Sequence, residues 1–251
     1  MSEVSVVIPV RDDAELLREC LRALGRQSEP PLEIIVVDNA SSDHSAAVAL
    51  SHGARVVREP NVGIAYATAT GYDAARGAII ARLDADTRPP TDWLERIGTV
   101  MAGHPGHEAV TGIGVFHDAP RGLRRLLSVI YLGSYYLLGA AAAGHHVLWG
   151  SSMAVRRTAW QRVTHLVHRD LEVHDDFDLA LVLGPGAAIV LDPSLVVGVS
   201  ARSVRGGRQW RRRLGRAFHT LRLNWRDAPP WERWAVTLHL QDTDETRGSH
   251  R

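Results

Sequence analysis

Lysine is absent from this 251-residue chain: all 29 basic side chains are arginine, a bias that carries little mechanism of its own. Cysteine is nearly absent too. The single thiol, Cys20, excludes an internal disulfide and a cysteine metal site, and it suits a reducing cytosolic compartment. No Gly-x-Gly-x-x-Gly follows the first apolar run, and Gly-x-x-x-x-Gly-Lys occurs nowhere, which disfavours a dinucleotide oxidoreductase and a P-loop NTPase. There is no internal repeat and no long low-complexity linker. The first strand begins within a few residues of the N-terminus, so no secretory signal is expected. What is present is 45% hydrophobic residues, enough to bury one large domain with a C-terminal appendage.

Val4-Ser5-Val6-Val7-Ile8 is a β-branched run closed by Pro9, and residues Ala14 to Leu24 follow with apolar positions at helical spacing. Ile34-Ile35-Val36-Val37 is a second strand ending on Asp38-Asn39, with Ser41, Ser42 and Asp43 as candidate caps for a helix across residues 44–52. Arg55-Val56-Val57 is a short third strand, after which Asn61-Val62-Gly63 turns into an Ala-rich helix from Ile64 to Ala75. A fourth strand, Ala78 to Leu83, stops on Asp84 and Asp86. Strands that alternate with helices and are apolar along their length predict an α/β fold with a mostly parallel sheet covered on both faces. The Asp-bearing strand ends at residues 12–13, 38 and 84–86 then share one edge, where open α/β folds bind ligands.

Asp84 and Asp86 are the most informative pair. Two carboxylates so close repel unless water, or a hard cation between them and a polyanion, relieves the charge. Mg²⁺ or Mn²⁺ bridging to a diphosphate meets that need. A solvated turn is the other reading, because Asp-Ala-Asp-Thr-Arg-Pro-Pro is also turn and cap chemistry.

Further motifs decide between them. Val6-Val7-Ile8-Pro9-Val10, Val36 to Asp43, Asn61-Val62-Gly63, Ala75-Arg76-Gly77, Leu83-Asp84-Ala85-Asp86, Gly150 to Arg157 and Asp175-Asp176-Phe177-Asp178-Leu179 occur in one order. In these the chain resembles a family 2 glycosyltransferase of the GT-A fold, over residues 3–205. The resemblance implies a catalytic domain over residues 1–203, with a nucleotide-binding half at 1–88 and an acceptor-side half at 89–203. It implies that Pro9, Val10, Asp13 and Asp38 hold base and ribose, and that Asp84 and Asp86 grip the ribose and the Mg²⁺ or Mn²⁺ that bridges the phosphates, Asp86 being the metal ligand. Gly63 belongs to the nucleotide-sugar side, while Trp149, Gly150, Ser151 and Asp175 belong to the donor-sugar and acceptor side. Asp176 is implied as the general base that deprotonates the acceptor hydroxyl, with inversion at the anomeric carbon. The donor would be a UDP- or GDP-linked sugar; the acceptor hydroxyl, lipid-linked or not, is left open. Asp175, Asp176 and Asp178 also suit the N-terminus of a helix on dipole grounds alone, and Trp149 suits a core.

Several positions depart from the family pattern. Arg11-Asp12-Asp13 stands where Tyr-Asn-Glu is common, and Thr68-Ala69 stands where many members carry Arg-Asn. A phosphate-side cation is therefore missing, for which Arg82 or Arg11 could substitute. Ser200 occupies the place of a His that can serve as a third metal ligand. A nucleotide-binding, membrane-surface protein without turnover on the same fold is the alternative that these departures keep open.

Two segments bear on membranes. Residues 204–251 read as a basic amphipathic helical tail: ten Arg fall between Ala201 and Trp234, and Trp210, Leu214, Phe218, Leu221 and Trp225 form one helical stripe. Such a helix suits either the anionic inner membrane face, as a peripheral contact, or the protein's own surface. Nucleic acid is disfavoured by the acidic pocket and the lack of a recognition module. Asp227-Ala228-Pro229-Pro230 should break this helix, Trp231 to Leu240 should form another, and Gln241 to Arg251 should fray. Leu126 to Gly144 runs nineteen residues without a charge. A single crossing there would put Asp84 and Asp86 on the opposite side of a bilayer from Asp176, so a buried helix, or one touching lipid at the interface, is expected.

Overall fold

The computed structural model describes residues 3–120, 122–204 and 207–248. Seven strands form one sheet: β1 (Val4–Val10), β2 (Glu33–Asp38), β3 (Arg55–Arg58), β4 (Ile79–Arg82), β5 (His107–Phe116), β6 (Met153–Arg156) and β7 (Ala188–Val199). Their order is β3-β2-β1-β4-β6-β5-β7. Only β6 runs against its neighbours, β4 and β5. The sheet is therefore mostly parallel, as the unbroken apolar strands require.

Helices cover both faces: α1 (Ala14–Leu24), α2 (Ser45–Ser51), α3 (Ile64–Ala74), α4 (Trp93–Gly103), α5 (Arg124–Ala143), α6 (Arg157–Val163), α7 (Asp175–Leu183), α8 (Gly207–Asn224) and α9 (Pro230–Gly248). β1 is buried throughout, and the pleat splits it: Val6 and Ile8 join one apolar cluster with Leu17, Leu21 and Trp93, while Val7 joins the other with Tyr72, Ile80 and Trp160. Each fully buried side chain of this size contributes roughly 1.5–3 kcal/mol. Cys20 lies inside the first cluster, and burial pushes its thiol well above the usual range, which leaves it a packing residue.

The expected caps act differently from the sequence reading. Asp43, two residues before α2, accepts hydrogen bonds from the Ser45 N–H (2.9 Å) and also from the Ala14 N–H at the start of α1 (2.9 Å). One carboxylate thus serves two helix starts at the carboxyl edge. Ser42 turns instead to Asp12, giving it both its N–H (2.7 Å) and its hydroxyl (3.0 Å). The break at Pro229-Pro230 is as read, but α9 continues through Gly248 rather than stopping near Leu240; residues 249–251 lie outside the described residues.

Candidate active site at the carboxyl edge of the sheet

β1, β2 and β4 are parallel neighbours in register, Val10 beside Asp38 and Val7 beside Arg82, so their following loops rise from one edge. Arg11, Asp12 and Asp13 come from the first, Asp38 from the second, and Asp84 and Asp86 from the third. Pro9 and Val10 are buried beneath them. Asp38 accepts from the Ser41 N–H (3.0 Å), across Ala40, which sits at φ 54°. Asn39 is buried and ties the neighbouring loops together: its amide donates to the Glu59 and Asn61 carbonyls (3.1 and 2.7 Å) and its oxygen accepts from the Gly63 N–H (2.8 Å). Gly63 has φ 152°, a backbone conformation for which glycine is needed at the entry to α3.

The floor of the cleft is an ion-pair cluster. Arg82 is 3% exposed and bridges two carboxylates, donating to Asp175 (2.5 Å) and Asp84 (3.0 Å). Asp175 also accepts from the Thr68 hydroxyl (2.8 Å), so the residue standing where an Arg is common has a role in holding the acid of α7. Burial pushes the Asp175 carboxyl up to about 6, against the pull of Arg82. Asp84 in turn accepts from the Ser151 hydroxyl (2.6 Å). Asp176 accepts from the Gly150 N–H (2.7 Å) and from the Phe177 N–H (2.8 Å), which fixes the orientation of its carboxylate. Gly150 itself lies against Arg82; a Cβ there would sit 2.4 Å from the guanidinium carbon.

At the mouth, a second arginine spans the acids. Arg202 donates to Asp86 (3.2 Å) and to Asp13 (2.8 Å), and its side chain is 46% exposed. Burial and then the neighbouring Asp84 push the Asp86 carboxyl up to about 6, against the opposing charge of Arg202. A buried acid held among other acids is a group that favours a cation. Among the described residues no three His, Cys, Asp or Glu side chains gather as a ready-made metal cage. The donor set fits instead the sort of hard-cation site in which one or two carboxylates share the ion with substrate phosphates and water.

Asp13, Arg82, Asp84, Asp86, Ser151, Asp175 and Asp176, and Gly150 between them, are thus brought to one cleft. Arg11 is not part of the cluster: it is exposed and 3.8 Å from Asp12. Trp149 reaches the same loop, but its ring is buried, packed so that a Cβ on Gly114 would lie 2.3 Å from it, rather than open to the cleft. Ser200 donates to Asp118 (2.8 Å). Arg202, two residues on, was not singled out as a site residue in the sequence; its partners Asp13 and Asp86 lie 189 and 116 residues away, a separation no local pattern encodes.

The model of the family described as Glycosyl transferase family 2 matches residues 5–164, and the chain belongs to that family. It is 35% identical over 108 residues to glycosyltransferase AglE of Haloferax volcanii, a stretch covering 40% of this chain and 36% of that protein. An undecaprenyl-phosphate 4-deoxy-4-formamido-L-arabinose transferase of Sodalis glossinidius is 35% identical over 112 residues, 41% of this chain and 34% of the relative. The matches therefore span only about a third of these relatives' length. Among solved structures, the mannosyltransferase PcManGT of Pyrobaculum calidifontis, in complex with GDP-Man and Mn²⁺, is similar at a TM-score of 0.72 and 24% identity, over 95% of this chain and 68% of that one. The glucosyl-3-phosphoglycerate synthase of Mycobacterium tuberculosis, with Mn²⁺, UDP-Glc and phosphoglyceric acid, is similar at 0.59 and 18% identity, over 87% of this chain and 79% of that one. These likenesses show the fold, a GT-A glycosyltransferase fold.

Proposed function

We propose that the cleft transfers a sugar from a nucleoside diphosphate to an acceptor hydroxyl with inversion, in a reaction that depends on Mg²⁺ or Mn²⁺. The observation that carries this reading is the pair Asp13 and Asp86, held together by the positive guanidinium of Arg202 at the strand edge where the metal and diphosphate are expected. Asp86, with Asp84 beside it, would hold the divalent ion, whose chemistry is to neutralise the charge that develops on the departing diphosphate. Asp13 and Asp38, on the first two strand ends, hold the ribose and base.

Asp176 is the general base. Asp175 is spoken for by Arg82 and Thr68 and serves as framework, whereas Asp176 is half-buried and, among the described residues, held by the backbone N–H groups of Gly150 and Phe177. As the acceptor oxygen bonds to the anomeric carbon, its proton passes to Asp176, and the bond from that carbon to the phosphate oxygen breaks with its electron pair leaving on the nucleoside diphosphate. Attack from the face opposite the leaving group inverts the centre. The PcManGT and glucosyl-3-phosphoglycerate synthase complexes with GDP-Man and UDP-Glc support a GDP- or UDP-linked donor, and the undecaprenyl-phosphate transferase among the relatives supports a lipid-linked acceptor.

Asp176→Asn tests the assignment. Sugar transfer should fall at least about a hundredfold, the range for loss of a general base, while Mn²⁺-dependent nucleoside diphosphate binding by titration calorimetry stays intact. Retained transfer would remove Asp176 from the chemistry. A panel of nucleoside diphosphates in the same calorimeter fixes the base.

A further inference from the structure

α5 has two faces of different chemistry. On the inner face Tyr135 and Tyr136 donate to the Leu148 and Gly112 carbonyls (2.6 and 2.5 Å), and Leu132 and Ala143 are buried. The outer face carries Leu126, Val129, Ile130, Leu137 and Leu138, all exposed, Leu137 to 73%. α8 flanks one end of this helix. Its Trp210 ring packs edge-on against Tyr131 at 5.9 Å, and Leu214 and Phe218 are exposed, Phe218 to 70%. Toward its C-terminus α8 is docked: the Thr220 hydroxyl accepts from the His174 N–H (2.9 Å), the Asn224 amide donates to the buried Asp178 (2.7 Å), and Leu221 packs on the core. α9 flanks the other end, where the Trp234 indole donates to the Ala141 carbonyl (2.9 Å) and the Thr237 hydroxyl to Gly144 (2.7 Å), while Trp231 is 71% exposed.

Three helices thus expose adjoining apolar surface, well beyond the single scattered residues that soluble proteins carry without consequence. The charge of α8 is one-sided, while Glu232 at the start of α9 is an exposed acid. No acid occurs between Ala201 and Asn224, and Arg211, Arg212 and Arg222 are exposed on α8. α5 is long and apolar enough to cross a membrane by length and composition, but its inner face is fastened to the sheet by the two tyrosines. A bilayer can therefore take only the outer face.

We propose that the α5–α8–α9 face lies in the surface of an anionic bilayer, with leucine, phenylalanine and tryptophan side chains at the acyl boundary and arginines among the headgroups. The same elements hold the base: His174, just before α7, is bonded to α8, and the Phe177 ring lies 6.5 Å from Tyr135 of α5. Docking therefore brings the Asp176 side of the cleft toward the interface, where an acceptor carried on a lipid would arrive. That last clause rests on the function proposed above; the docking itself does not.

Flotation of the full chain with phosphatidylcholine vesicles, with and without phosphatidylglycerol, tests the docking. The protein should float with the anionic vesicles and less so as salt rises. Leu137→Asp with Leu138→Asp should reduce bound protein at least about tenfold, and Arg211→Glu with Arg212→Glu roughly fivefold per charge. All four side chains are exposed, so the unfolding midpoint and Mn²⁺-dependent nucleotide binding should be unchanged, which separates lost docking from lost folding. Equal binding to neutral vesicles, or none to either, overturns the proposal. So does lipid-free self-association by light scattering that the double aspartate variant abolishes, since the occupant would then be a second copy. Flotation without sugar transfer under any donor would sink the function reading and leave the docking standing.

Discussion

Arg82 and Arg202 each bridge two carboxylates at the same cleft, and they differ in everything else. Arg82 sits in the floor, 3% exposed, between Asp84 and Asp175. Arg202 sits at the mouth, 46% exposed, between Asp13 and Asp86. A buried arginine surrounded by acids cannot leave without stranding their charges in a low dielectric. An arginine half in water can exchange its partners for solvent at small cost. The first is part of the framework that aims the acids, and the second, under the function proposed above, is the cation that a divalent ion and a diphosphate would displace.

Replacing the two residues should expose that contrast directly. Arg82→Met should destabilise the fold by about 3–5 kcal/mol, the cost of breaking a buried pair, read as a fall in the urea unfolding midpoint. A smaller loss than that of the mouth variant would break the comparison.

Glu33 offers an intermediate case, a buried acid held by two partly exposed arginines, Arg55 (2.8 Å) and Arg76 (3.0 Å). Although burial alone would raise it, hydrogen bonds from Arg76, Ser5 and Arg55 bring its carboxyl down to about 2. The native state thus favours the ionised form. Its contribution should be fully present above about pH 4.5 and be lost as the pH falls from there toward 2. Glu33→Gln should cost about 1–3 kcal/mol near neutrality and flatten the acid limb of the stability profile over that window. An unchanged limb would mean the two arginines hold nothing.

Arg202→Ala should be the mildest. Stability should change by less than about 1 kcal/mol, while Mn²⁺ binding to the nucleotide-free protein tightens by about two- to fivefold, because Asp86 no longer shares its charge. Unchanged Mn²⁺ affinity would show that Arg202 and the metal do not compete.

The parts of this arrangement carried by local patterns were legible in the sequence. β1, β2 and β4, the helices after them and the acids on their ends follow from apolar runs, helical spacing and turn residues. Partnerships were not. Nothing near Thr68 marks it as a donor to Asp175, and nothing near Arg202 marks its reach to Asp13 and Asp86, because these contacts exist only after the chain has folded. Hydropathy left the partner of the α8 stripe open between lipid and protein, and the structure divides it: Leu221 packs on the core and the Trp225 indole donates to the Ala142 carbonyl, whereas Trp210, Leu214 and Phe218 stay exposed, with Thr220 and Asn224 as buried polar anchors. Buried polar residues that find partners look like surface residues in a one-dimensional pattern. The reversed strand β6 was likewise invisible, since an apolar run has no direction.

Gly150 has a consequence of its own. Its α-carbon rests against the flat face of the Arg82 guanidinium, with no room for even one methyl group, while its N–H holds Asp176. Arg82 in turn holds Asp84 and Asp175. The gap between Asp84 and Asp175 on one side and Asp176 on the other is thus gauged by the thickness of one planar ion. An alanine at that position would act as a shim, prising the two sides of the cleft apart without touching any ligand.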